Sequence, residues 1–142
     1  MFARAISRAE GVARLWTLRR LYAAFDIENS AEVRAKRLLR EWLTSDQREQ
    51  FDTEGYFEVT GCQTGRQYRI HYGGNANVQE LDRQGKPITG LCFVPEGQLA
   101  PADVMLAQKI ALETSELEVL AKANRFPPRL FRPAQPTRRR PF

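Results

Sequence analysis

The sequence predicts an α+β protein: N-terminal helices, a four-stranded antiparallel meander, a C-terminal helix packed on the sheet, and an extended basic tail. Three observations predict it. Apolar residues recur at three- and four-residue steps up to about residue 54, and the period then falls to two. The period-two stretches are joined by short glycine-bearing turns, whereas a parallel crossover needs about a dozen residues or more. Beyond Ala123, five of the eight prolines crowd into the last stretch of chain, which predicts an arm without helix or strand interiors. At 142 residues the chain is long enough for one domain with extensions. The expected division is a basic helical arm over 1–25, an α+β domain over 26–124 and an Arg/Pro-rich tail over 125–142.

The first helix is expected from Phe2 to Phe25, with Ile6, Leu15, Leu18, Tyr22 and Phe25 at helical steps and Trp16 and Leu21 widening the apolar surface. A second helix follows Asn29 as cap, with Glu32 three residues on and Ala35, Leu38, Leu39 and Trp42 in one stripe that Leu43 extends. Glu32 and Lys36 form an i,i+4 pair on its polar side. A short third helix opens at Thr44 or Ser45, with Asp46 in its first turn, and stops at Gly55.

Phe57 and Val59 then share one face of a first strand, and the turn Cys62–Gly65 leads into a second over Arg66–Tyr72. There Tyr68, Ile70 and Tyr72 alternate with Arg69 and His71, so a tyrosine face and a solvated basic face are expected. Gly73-Gly74-Asn75 is a turn, Asn77–Asp82 a third strand, Arg83-Gln84-Gly85 a turn, and Ile88–Val94 a fourth strand. The last helix starts near Pro101, with Asp103 in its first turn and Leu106, Ile110, Leu117 and Leu120 facing the sheet. Thr114-Ser115 with Glu118 spells a capping box at which this helix would break.

Charge is distributed unevenly. Residues 1–25 carry Arg4, Arg8, Arg14, Arg19 and Arg20 against Glu10 alone, and the tail carries Arg129, Arg132, Arg138, Arg139 and Arg140 with no acid. The middle of the chain is net acidic, although the whole is +5. Two basic ends on an acidic body point to an anionic partner gripped at the ends: nucleic acid, an anionic membrane surface, or an acidic face of a larger protein assembly. The two ends are different devices, an amphipathic helix and an extended strap. No run of eighteen apolar residues exists, so no transmembrane segment is expected. Two cysteines without a secretory pattern favour the cytoplasm, or a mitochondrial or peripheral-membrane address if the Arg-rich, nearly acid-free start is read as one.

Catalytic and metal signals are weak. Cys62, His71 and Cys92 are the soft or imidazole ligands, three where structural zinc takes four, and no close CxxC pair fixes a geometry. A Cys–His nucleophilic pair lacks an orienting third group. Gly61, Gly65, Gly73 and Gly74 match neither a Walker loop nor a dinucleotide fingerprint. No cofactor, metal site or catalytic set is expected.

Across about 55–124 the residues Phe57-x-Val59-x-Gly61, Thr64-Gly65, Tyr68-x-Ile70, Asn77-Val78, Leu91-Cys92-Phe93 and Asp103–Lys109, with Glu113, Glu116 and Ala123-Asn124, form one pattern. It resembles that of a family of small bacterial and phage-associated domains of uncharacterised function. The resemblance implies a domain boundary and a bacterial origin and carries no activity. The expected function is a non-enzymatic accessory or structural subunit docked through its arms. The alternatives are a sequence-nonspecific nucleic-acid binder, and a small enzyme using Cys62, His71 or Cys92.

Overall fold

In the computed structural model, which describes residues 11–21, 30–73 and 76–128, a first helix α1 occupies 11–21. It is followed by α2 (Ala31–Trp42), α3 (Ser45–Glu54), β1 (Tyr56–Thr60), β2 (Gln67–His71), β3 (Val78–Leu81) and β4 (Pro87–Cys92). Helices α4 (Pro101–Thr114) and α5 (Glu116–Lys122) and a last strand β5 (Asn124–Phe126) complete the order. Met1–Arg34 and Ala35–Phe142 form two compact units. The α+β class is as expected, and the sheet is an antiparallel meander in the order β1-β2-β3-β4-β5.

The fifth strand corrects the expectation of four strands and of a tail without strand structure. Gly90, Leu91 and Cys92 pair with Phe126, Arg125 and Asn124. Ala123 leaves α5 in an extended conformation and feeds the chain straight onto this edge. Pro127 and Pro128 then end the pairing, since neither has an N–H to donate. Three residues are too few to show a period of two.

Helix α2 begins with the Ser30 hydroxyl accepting from the Val33 amide, while Asn29, the expected cap, lies outside the described residues. Its expected stripe is only half correct. Ala35 and Leu39, with Leu43 just beyond, are buried, but Leu38 and Trp42 are 43% and 59% exposed. Helix α3 follows the sequence closely. Thr44 and Gln47 close a reciprocal capping box, and Gly55 ends the helix in the left-handed region at φ 76.

One face of the sheet, with Phe57, Val59, Tyr68, Ile70, Val78 and Leu91, builds the core with Ala102, Met105, Leu106, Leu112 and Leu120. Phe51 adds an edge-to-face contact with Phe57, ring centroids 6.2 Å apart. Burying the Phe, Val, Ile, Leu and Met side chains among these contributes roughly 1.5–3 kcal/mol each. Ile110 and Leu117, expected against the sheet, are exposed instead. On α4 the buried arc runs through Ala102, Met105, Leu106, Lys109 and Leu112, and the break at Ser115 resets the phase before Leu117.

The break occurs where expected but not by the expected means: Ser115 makes no side-chain cap bond, and the Leu117 amide donates to Gln63 Oε1 at 2.8 Å. A register shift at Glu80/Leu81 sets Leu81 opposite Pro87 and leaves Ile88 exposed. At the outer edge of β1, α3 supplies what a sixth strand would. Gln47 Nε2 donates to Glu58 O at 2.9 Å, and Glu58 N donates to Gln50 Oε1 at 3.1 Å.

Candidate functional site

Of the predicted arms, the described residues include helix α1 and the first four residues of the tail, 125–128. All eleven residues of α1 are exposed, among them Val12, Leu15, Trp16, Leu18 and Leu21. At 3.6 residues per turn, Val12, Leu15, Trp16 and Leu18 fall within an arc of about 160°. Arg14 and Arg20 border that arc on its two sides, and Arg19 lies inside it, seven residues after Val12. No acid stands between 11 and 21. Arg4, Arg8, Arg129, Arg132, Arg138, Arg139 and Arg140 lie outside the described residues.

Within the Ala35–Phe142 unit the most concentrated chemistry among the described residues is one that sequence reasoning missed. Glu116, the first residue of α5, is fully buried with its carboxylate in the β1–β2 turn. Oε1 accepts from the amides of Gln63 at 2.9 Å and Thr64 at 2.7 Å. Oε2 accepts from the Tyr68 hydroxyl at 2.6 Å and from the Thr64 hydroxyl. Gly61 makes the site possible, because a Cβ there would fall inside the Glu116 carboxylate.

Burial by itself would raise the Glu116 carboxyl, but the hydroxyls of Thr64 and Tyr68 and the two amides more than offset it. The group is therefore held below the ordinary glutamate range. Burial and the bond to this carboxylate push the Tyr68 phenol up in turn. A carboxylate with four donors already seated is a clasp between the turn and α5. Its sequence signal was present, a Gly61–Gly65 turn with Tyr68 three residues on, but its partner stands about fifty residues away.

The opposite end of the sheet is fastened by neutral groups. Asn77 Nδ2 donates to Gln108 Oε1 at 2.7 Å, and Gln108 Nε2 donates back to Asn77 Oδ1 at 2.9 Å. The same two amides also reach the carbonyls of His71 and Phe93. His71 is 9% exposed, not on a solvated face as expected. Its Nε2 lies 2.9 Å from Gln79 Oε1, and Tyr56 packs edge-on against the ring. Burial lowers its pKa, the Gln79 bond opposes this, and the nearby Arg69 charge adds to the lowering. Arg69 is engaged as well, with Glu58 at 2.9 Å and over the Tyr56 ring at 4.5 Å. Arg66 reaches the buried Glu80 at 3.5 Å. The basic hairpin face is thus neutralised in part by its own neighbours.

Cys62, His71 and Cys92 are not brought together. Cys62 is exposed at the β1–β2 turn, while His71 pairs with Tyr56 at the other end of that hairpin, about 13 Å or more along the strand. Cys92 shares the His71 end, but β3 stands between β2 and β4, which sets the backbones about 10 Å apart. Among the described residues no group of three or more His, Cys, Asp or Glu could hold a metal ion.

Cys92 does line a groove of about 460 Å³ between the end of β4 and helices α4 and α5, with Val94, Ala107, Ala111, Val119 and Lys122. A second cleft lies beside Arg37, Arg40 and Arg48. There Arg40 pairs with Asp52, and Arg48 Nε donates to the carbonyl of Arg40 at 3.0 Å. Both arginines are therefore spent on the fold. No helix among the described residues is long and apolar enough to cross a membrane. No protein-family model, curated protein or solved structure matches this chain.

Proposed function

We propose that the protein is a non-enzymatic accessory subunit, a small α+β body held in a larger assembly by its basic arms. The observation that carries this reading is helix α1, with every residue exposed, five large apolar side chains among them, three arginines and no acid. In proteins most of a helix's stability comes from burying an apolar face. Docking supplies that burial, and the arginines select an anionic surface. The tail arginines Arg129, Arg132, Arg138, Arg139 and Arg140 are proposed as the second tether. The polar chemistry of the body supports the same reading, because Glu116 and Gln108 are spent on holding the fold.

The test is the size of the species that carries the tagged full chain in native extract. Wild type is expected in a large species that survives nuclease, and Leu15→Glu with Trp16→Glu is expected to move it to the size of the free chain. A wild-type chain that already runs free would end the reading. Release by nuclease would transfer it to phosphate contacts with nucleic acid, whose affinity falls steeply with salt.

A further inference from the structure

We infer that the surface helix α1 takes is an anionic lipid bilayer, on which the helix lies flat at the headgroup level. The inference rests on the docking reading above and names the chemistry of the docked surface. It comes from where the arginines stand relative to the apolar arc. A helix that enters a protein groove presents a seam at i, i+3, i+4 and i+7. Here Val12, Leu15 and Trp16 start such a seam, and its i+7 position is Arg19. A dry groove would have to bury that guanidinium against one carboxylate placed to match it.

A headgroup interface needs no such match. The arginine stem lies in the acyl boundary while its head rises to phosphate, and Arg14 and Arg20 do the same on the two margins of the arc. The arc itself is broad, with Leu18 and Leu15 on one side of Val12 and Trp16 on the other. Trp16, 61% exposed, is the residue type that settles at the membrane–water boundary. The eleven residues carry three positive charges and no negative one, so zwitterionic lipid would be a poor substitute for anionic lipid.

The full chain is tested against vesicles of phosphatidylcholine alone and of phosphatidylcholine mixed with phosphatidylglycerol. Sedimentation with the mixed vesicles only is expected. The triple variant Arg14→Gln, Arg19→Gln, Arg20→Gln should lose binding by about fivefold per arginine and about a hundredfold in all. Trp42→Phe leaves Trp16 as the one tryptophan, and its emission should shift to the blue on the mixed vesicles and be quenched by brominated acyl chains.

Equal binding to both vesicle types would overturn the inference, as would a triple variant that still binds or a Trp16 emission that does not move. Failure here is distinguishable from failure of the docking reading. A large species that persists in detergent and collapses with Leu15→Glu and Trp16→Glu, alongside no vesicle binding, leaves docking intact and assigns the helix to an acidic protein surface.

Discussion

The two ends of the sheet are fastened to the C-terminal helices by opposite chemistry. At the β1–β2 turn a single buried charge, Glu116, collects four donors. At the other end two uncharged amides, Asn77 and Gln108, satisfy one another and two backbone carbonyls. The charged clasp is strong but one-sided, since donors to a carboxylate have nowhere to turn when it is removed. The amide pair is weaker and self-complementary, and it fixes register because a shift on either side breaks both bonds at once.

Glu116→Ala should therefore have the largest effect, about 4 kcal/mol, because it leaves several donors buried without an acceptor. Urea melts should show a lower midpoint with the slope unchanged. Glu116→Gln keeps the volume and should lose about 2 kcal/mol, because its NH₂ must face donors. The same pair of variants separates the two ends by pH. The folded Glu116 carboxyl is depressed, so its contribution is present above the unfolded value of about 4.3 and is lost as pH falls through the folded value.

His71, at the amide end, is also depressed, so its contribution is whole above the unfolded value of about 6.5 and erodes below it. Wild-type stability should fall in two stages on acidification, and Glu116→Gln should remove the lower stage and leave the upper. A lower stage that persists in Glu116→Gln would mean that the clasp does not titrate with the fold.

Gln108→Leu comes next, at about 2 kcal/mol, since Asn77 Oδ1 and the Phe93 carbonyl lose their donor. A double-mutant cycle of Asn77→Ala with Gln108→Ala should return a coupling of about 1–2 kcal/mol. A coupling near zero would show that the pair acts through its carbonyl contacts alone. The smallest effect belongs to the edge of β1. Gln50→Ala should cost about 1 kcal/mol or less, yet speed exchange of the Glu58 amide, which has no strand beyond it.

The difference between the two fastenings also explains what the sequence could and could not convey. Helix α3 was legible because each of its signals is local: Thr44 and Gln47 are three apart, and Gly55 stands at its end. Phe57, Val59, Tyr68 and Ile70 were legible because alternation reports burial within one strand. The clasp was not, because Glu116 reads as one more acid among Glu113 and Glu118 until the fold brings Gly61 beneath it. His71 was misplaced for a related reason. Alternation told which side of β2 it takes, but not that Tyr56 and Gln79 close over that side. Strand β5 was missed because its ladder is supplied by β4 and not by any pattern of its own.

Gly61 and Glu116 also form a single unit of change. A side chain at 61 would occupy the volume of the carboxylate, and an empty position at 116 would leave a hollow under the turn with its donors unmet. A change at either position is therefore felt at the other. The least disruptive crossing between solutions is a paired replacement, such as a small side chain at 61 together with a shortened acid at 116. Two codons more than fifty positions apart would then pass through selection as one character.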